Sequence, residues 1–300
     1  MTTTATTSAT ASPLYAVAGV TGHTGRRAAE TLLSRGARVR VIVRDPAQGE
    51  AWAARGAEVA VADLWDEPAL ADALRGAAGA WLLSPPRVTS PDPLADAERL
   101  GRSFAAAIPR SGVGHVVLLS SVGAQHAAGT GPIRTVHHLE GVLNRLGVAR
   151  TFVRPAYFLE NWASSLGPAR GDGVLPTFIP ADLVFPQVAT ADIGRVAAEQ
   201  LLAGPPADGR RVVELAGPED LSSADVAALV GALLGRPVAP HAAPAAAASQ
   251  VFPQFGLSQA VADLFAEMYA GVASGVVAFE GAPVRGSVTA RETLAALLAG

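Results

Sequence analysis

The 300-residue chain has no cysteine. That excludes disulfides, thiolate nucleophiles and cysteine metal sites together. It has no lysine either, because all 23 of its Lys-plus-Arg residues are arginines. Any mechanism that needs a lysine is therefore excluded. Tyrosine is scarce, with only Tyr15, Tyr157 and Tyr269. The net charge is −3 and no basic stripe occurs, which argues against nucleic acid as a partner. No run of about eighteen uncharged apolar residues is present, so no membrane span is predicted. Histidines and carboxylates lack metal-ligand spacing, and no metal is predicted. Residues 1–13, MTTTATTSATASP, have neither the charged start nor the apolar stretch of a signal peptide. They read as a disordered tail, and a cytoplasmic location fits.

What is present is apolar material, 50% of the residues, enough for a sizeable core in one large domain or two modest lobes. An apolar run at 14–19 predicts a buried strand. Helical spacing predicts a helix over 24–35, and alternation of Arg with Val or Ile predicts a second strand over 38–43. Continuing the same reading gives helices near 47–55, 67–75, 93–110 and 135–146. Strands are predicted at 58–61, 80–83, 115–120 and 151–153. Strands alternating with helices predict an α/β fold, a doubly wound parallel Rossmann sheet over 14–155, with elements at 183–215 completing it. Residues 156–300 read mainly as a smaller, mostly helical C-terminal substrate lobe. There, helices are predicted over 192–202, 222–234 (capped by Ser222), 258–270 and 290–299, with a strand at 211–215 and a Pro/Ala stretch at 237–248.

Between the first strand and first helix lies VAGVTGHTGRR, residues 17–27, with Gly19, Gly22 and Gly25 three residues apart. A glycine turn in this place serves a pyrophosphate. Glycine permits the tight turn and close backbone approach, and the helix N-terminus adds free N–H groups and a positive dipole end. Thr21, His23, Thr24 and Arg26 complete the candidate phosphate site. The plain alternative, a turn with no ligand, is weakened by the strand–turn–helix–strand context. An NAD binder tends to place Asp or Glu at the end of the second strand, against the ribose 2′-OH. Here Arg44 stands there, followed by Asp45. A guanidinium suits a 2′-phosphate in charge and fork geometry, so NADPH is expected over NADH. A solvated arginine after a strand is the other reading.

In order along the chain come GVTGHTGRR, VRVIVRDP, HVVLLSSVGA, GVLNRLGVARTFVRPAYFLEN, FPQVATADIGRVAAEQLL and VVELAGPEDLSSADVAALVGALLGRPV. This ordered set resembles the NmrA-like family of atypical short-chain dehydrogenases/reductases over about residues 14–240. The resemblance implies a nucleotide-binding Rossmann lobe and a small lobe that covers the substrate. The family includes quinone and azo-dye reductases, natural-product reductases and regulators that bind NAD(P) without turnover. It places Asp63 against adenine, unless that residue only caps a loop, and puts Ser120 or Ser121 where the wider superfamily keeps its substrate-binding serine. The superfamily's Tyr-x-x-x-Lys pair is missing. The matching helix, TVHHLEGVLNRLG, offers His137, His138 and Glu140 instead.

Ligands of open α/β sheets bind beyond the carboxyl ends of the strands. That rule selects Leu83, Ser84, Pro85 and Pro86, then Ser120 and Ser121, then Tyr157, Glu160 and Asn161. The serine hydroxyls either meet the ligand or satisfy strand-end backbone groups. His137 or His138 either supplies a proton or packs, and one at most faces the site, because neighbours on a helix point about 100° apart. Tyr157 lines the cofactor pocket, donates a proton, or packs. Phe252, Phe255, Leu257, Leu264, Phe265, Met268 and Tyr269 form either an apolar cover or ordinary core. Asp192 reads as a cap or lobe contact. The expected activity is NADPH-dependent reduction of a quinone or an aromatic or polyketide-type ketone, by a monomer or homodimer. The alternative is a non-catalytic NADP(H) sensor that acts on a protein partner.

Overall fold

The computed structural model describes residues 12–300; most of the tail predicted at 1–13 lies outside the described residues. The chain runs β1 (Leu14–Ala18), α1 (His23–Ser34), β2 (Arg38–Val43), α2 (Glu50–Ala53), β3 (Glu58–Val61), α3 (Glu67–Leu74), β4 (Gly79–Leu82), α4 (Pro93–Ser111), β5 (His115–Leu119), α5 (Ile133–Asn144) and β6 (Ala149–Pro155). Then follow β7 (Tyr157–Phe158), α6 (Leu166–Asp172), β8 (Val174–Thr177), β9 (Phe185–Val188), α7 (Thr190–Ala203), β10 (Arg210–Ala216), β11 (Asp220–Leu221) and α8 (Ser223–Leu234). The last elements are β12 (Ala239–Ala242), α9 (Ala248–Val251), α10 (Gln259–Ala273), β13 (Val284–Arg285) and α11 (Ala290–Ala299).

Eight strands form one parallel sheet in the order β13-β10-β6-β5-β4-β1-β2-β3. β1 and β4 are wholly buried, as expected of strands covered on both faces. On one face, α1 and α7 bury Ala28, Leu32, Ile193 and Leu201 against Val17, Val41 and Trp81. On the other, α3, α4 and α5 bury Leu70, Leu74, Phe104 and Leu139 against Ala16, Leu82 and Leu118. Helix starts follow local chemistry: Asp92 caps α4 with Pro93 behind it, and Ser222 forms a capping box with Asp225 on α8.

The strand order reverses around β1, which lies between β2 and β4. That is the switch point at which a crevice opens in such sheets. The second lobe has its own core, including Trp162, Leu175, Val226, Val230 and Leu294. It carries two small sheets besides its helices, β11-β9-β7 and β12-β8. The Pro/Ala stretch contributes β12 to one of them. The helix predicted near 47–55 is a 3₁₀ turn, Pro46–Gly49, and a single α-turn, because the Asp45 carboxylate holds Ala47 N–H in a local turn. After α10 the chain crosses back to the main sheet, and β13 becomes its outer strand.

Candidate functional site

A cleft of about 1040 Å³ lies along the carboxyl ends of β1 to β5 and reaches the second lobe. Its floor is the glycine turn. Gly19 has φ +71°, and a Cβ there would stand 2.4 Å from Leu83 Cδ2. Gly25 is buried, and a Cβ on it would stand 2.4 Å from the carbonyl oxygens of both Ala18 and Gly19. These two positions therefore require glycine for different reasons, one conformational and one steric. Gly22 is the N-cap of α1, with no side-chain cap and no acidic residue in the first turn. The first N–H groups of α1 thus stay available to an anion at the cleft.

Gly19, Thr21, Gly22, His23 and Thr24 all line this floor. Arg44 lines the cleft beyond β2; it is exposed and has no ion pair among the described residues. Asp63 lines it beyond β3, where its carboxylate accepts the Trp65 N–H at 3.1 Å. Leu83, Ser84 and Pro85 form the wall beyond β4, and Ser120 and Ser121 the wall beyond β5. The chain thus offers a steric cradle, a free helix end and an unpaired arginine along one cleft, a donor set that fits a phosphorylated dinucleotide.

Ser120 belongs to a buried network. Its hydroxyl donates to Glu140 Oε1 at 2.5 Å. Arg154 grips the same carboxylate through Nε at 2.9 Å and Nη2 at 2.7 Å. Its Nη1 donates to Glu280, on the segment between α10 and β13. Ser121 instead donates to the Val122 carbonyl.

The NmrA-like family model matches residues 13–273. The chain belongs to the NmrA-like family. It is 27% identical to an NAD(P)H azoreductase of Xenophilus azovorans over 213 residues, 71% of each chain. It is 30% identical to quinone oxidoreductase 2 of Escherichia coli (strain K12) over 166 residues, 54% of each. Among solved structures it is similar to the Escherichia coli NADPH-dependent quinone oxidoreductase complexed with NADPH. The TM-score is 0.78 at 26% identity, covering 95% of this chain and 99% of that one. These named relatives are NAD(P)H-dependent reductases of quinone or azo type.

Within this NmrA-like fold, some predicted site residues lie off the cleft. Gly25 acts from beneath it through close packing, and Arg26 points into solvent at the start of α1. His137 donates Nδ1–H to the Ala124 carbonyl at 2.8 Å. His138 packs on Gly101 of α4, where burial lowers its pKa. The cleft-facing residue of that helix is Val136. Tyr157 packs edge-on against Trp162 and Phe185, with ring centroids 6.1 and 5.6 Å away. Burial first, and then the Tyr269 phenol, push its pKa well above the ordinary tyrosine range. Its neighbour Phe158 lines the cleft instead.

Other expectations resolve into structural roles. Phe252, Phe265 and Tyr269 cluster with Phe178 inside the second lobe, and burial pushes Tyr269 up to about 12. Phe255 is 76% exposed. Glu160 borders the cleft, but its carboxylate is taken by Thr190 N–H and Oγ1 at the start of α7. Asp192 is buried and accepts the N–H groups of Ser287 and Val288, tying down the C-terminal segment.

Sequence reasoning missed Gln48, Trp65, Arg87, Val136 and Thr190 as cleft residues. The strand-end rule, applied to β2 and β3 as it was to β4, would have found Gln48 and Trp65. Arg87 lies over the Trp65 ring, 5.4 Å from its centroid, and its charge meets Asp96 at 3.4 Å. Among the described residues no cluster of His and carboxylates could hold a metal, and no helix is long and apolar enough to cross a membrane.

Proposed function

We propose that the chain is an NADPH-dependent reductase that delivers hydride to a quinone, with aromatic or polyketide-type ketones as weaker acceptors. The observation that carries this reading is the cleft floor: a glycine cradle at an uncapped helix start, with Arg44 free at its side. The turn from Gly19 to Thr24 and the start of α1 hold the pyrophosphate through backbone N–H groups. Arg44 holds the ribose 2′-phosphate, which favours NADPH over NADH. Asp63 and Trp65 border the adenine end. Leu83, Ser84 and Pro85 brace the middle, and Ser120 stands at the nicotinamide end. Residues 156–300 supply the substrate side of the cleft, with Phe158 and Asn161 at its edge.

When bound, the cofactor supplies hydride, and a proton from water completes the conversion of quinone to hydroquinone. The chain itself contributes positioning of the two reactants. His137, His138 and Tyr157 do not face the cleft, and the hydroxyl hydrogens of Ser120 and Ser121 are donated within the protein. A placed general acid typically contributes about 10²–10⁴-fold. A quinone needs that help less than a simple ketone does, which supports the quinone reading.

The test is NADPH oxidation by the purified protein with a panel of quinones and aromatic ketones, with NADPH binding measured on the same sample. Turnover that ranks quinones above ketones supports the proposal. Tight NADPH binding without turnover across the panel points to the non-catalytic sensor.

A further inference from the structure

We propose that Glu140 is a positioning residue that fixes the Ser120 hydroxyl as a hydrogen-bond acceptor for the nicotinamide carboxamide. The inference rests on the NADPH reading above and assigns a role that reading leaves open. A serine hydroxyl has one hydrogen and two lone pairs. Here the hydrogen is committed to Glu140 at 2.5 Å. A carboxylate offers no hydrogen in return, and the permanently charged Arg154 fork keeps both of its oxygens engaged. Ser120, Glu140 and Arg154 are all buried, so water does not compete for these bonds. What Ser120 presents to the cleft is therefore lone pairs alone.

The cleft order says what meets them. The glycine turn at the end of β1 sets the pyrophosphate, and Arg44 beyond β2 sets the phosphorylated ribose. The opposite end, beyond β4 and β5, remains for the nicotinamide, and Ser120 lies there. The carboxamide N–H₂ is the donor on that ring. A quinone carries only acceptor oxygens, so it gains nothing from Ser120. In this chain the strand-end serine orients the ring and does not polarise the substrate carbonyl. Glu280 closes the network from the C-terminal segment, so the segment that adds β13 to the sheet also braces the serine.

The experiment compares binding of NADPH and of 2′,5′-ADP, which shares the phosphorylated adenosine end but has no nicotinamide. Full-length parent protein, Glu140→Gln and Ser120→Ala are titrated with both. In Glu140→Gln the side-chain amide can donate to Ser120 and release its hydrogen into the cleft, donor against donor. NADPH binding should weaken about tenfold, one hydrogen bond, with 2′,5′-ADP unchanged. Ser120→Ala should show the same selective loss, and it leaves the Arg154–Glu140 pair intact should the glutamine variant fold poorly. The acetylpyridine analogue of NADP, which lacks the amide N–H₂, should bind the parent about tenfold more weakly than NADP and bind Ser120→Ala no worse than NADP does. Equal losses for NADPH and 2′,5′-ADP, or parent protein indifferent to the analogue, would overturn the assignment. Parent protein that binds neither nucleotide would remove the NADPH reading itself, and this inference with it.

Discussion

Gly25 lies so close to Ala18 that a Cβ on Gly25 would stand 2.4 Å from the Ala18 carbonyl oxygen. The obstacle is backbone at the end of β1, with no flexible side chain to move aside. Gly25→Ala must therefore shift α1 against the strand. The expected cost is about 1–3 kcal/mol of stability, as for other overpacked cores, with NADPH affinity lost as well. Gly22 is different, because its Cβ would meet only the Gly19 carbonyl at 3.5 Å, an ordinary contact. Gly22→Ala should cost no more than about 1 kcal/mol of stability, the difference between glycine and alanine at an N-cap, yet weaken NADPH, since the methyl intrudes where phosphate approaches. Thermal unfolding and NADPH titration of the two variants separate fold from ligand. Equal loss of stability in both would contradict this division of roles.

Arg44 is exposed and free of ion pairs among the described residues, so replacing it breaks nothing in the fold. Arg44→Asp should leave the unfolding temperature near that of the parent. Its NADPH affinity should fall by about tenfold to a hundredfold, the worth of a charge-assisted hydrogen bond. NADH affinity should change little or improve. Equal losses for the two cofactors would show that Arg44 does not read the 2′-phosphate.

The turn and Arg44 were legible because their chemistry is local: a few consecutive residues carry the glycine spacing and the charge. The buried network was not, because Arg154 and Glu280 are 126 residues apart in sequence and leave no short-range signature. Direction along an element was also hidden. The strand-end rule selects Tyr157, but alternation sends its ring into the second lobe and turns Phe158 to the cleft. On α5 the rule could not set the helical phase. Val136 and Glu140, four apart, share the functional face, while His137 and His138 turn away from it. β7, β11 and β13, two residues each, are too short to show any period.

Arg154 sits between a buried and an exposed carboxylate, which makes its two ion pairs unequal. The Glu140 side chain is 5% exposed and that of Glu280 57%. Arg154→Met leaves Glu140 buried without its counter-charge, which should cost about 3–5 kcal/mol. Glu280→Gln removes only the exposed partner and should cost under about 1 kcal/mol. Urea unfolding of both variants at neutral pH checks the contrast, and comparable losses would mean that Glu280 matters more than its exposure allows.

His115 supplies a pH dependence at the far end of the sheet from the cleft. Its Nε2 meets Thr151 Oγ1 at 2.9 Å, and its buried Nδ1 has no partner among the described residues. Burial first, and the Arg211 charge second, lower its pKa from 6.5 to about 4. Between those values the unfolded chain binds the proton more readily than the folded one does. The stability contributed by neutral His115 is thus complete above pH 6.5 and is lost as the pH falls towards 4. It amounts to about 2–3 kcal/mol. Carboxylates also destabilise the fold in acid, so the informative quantity is a difference of two profiles. Urea unfolding of the parent and of His115→Gln, each at several pH values from 4 to 7.5, should show a steeper acid loss for the parent. Its excess slope should lie between pH 4 and 6.5. Parallel profiles would show that His115 titrates alike in the folded and unfolded chains, and that its burial is relieved by water.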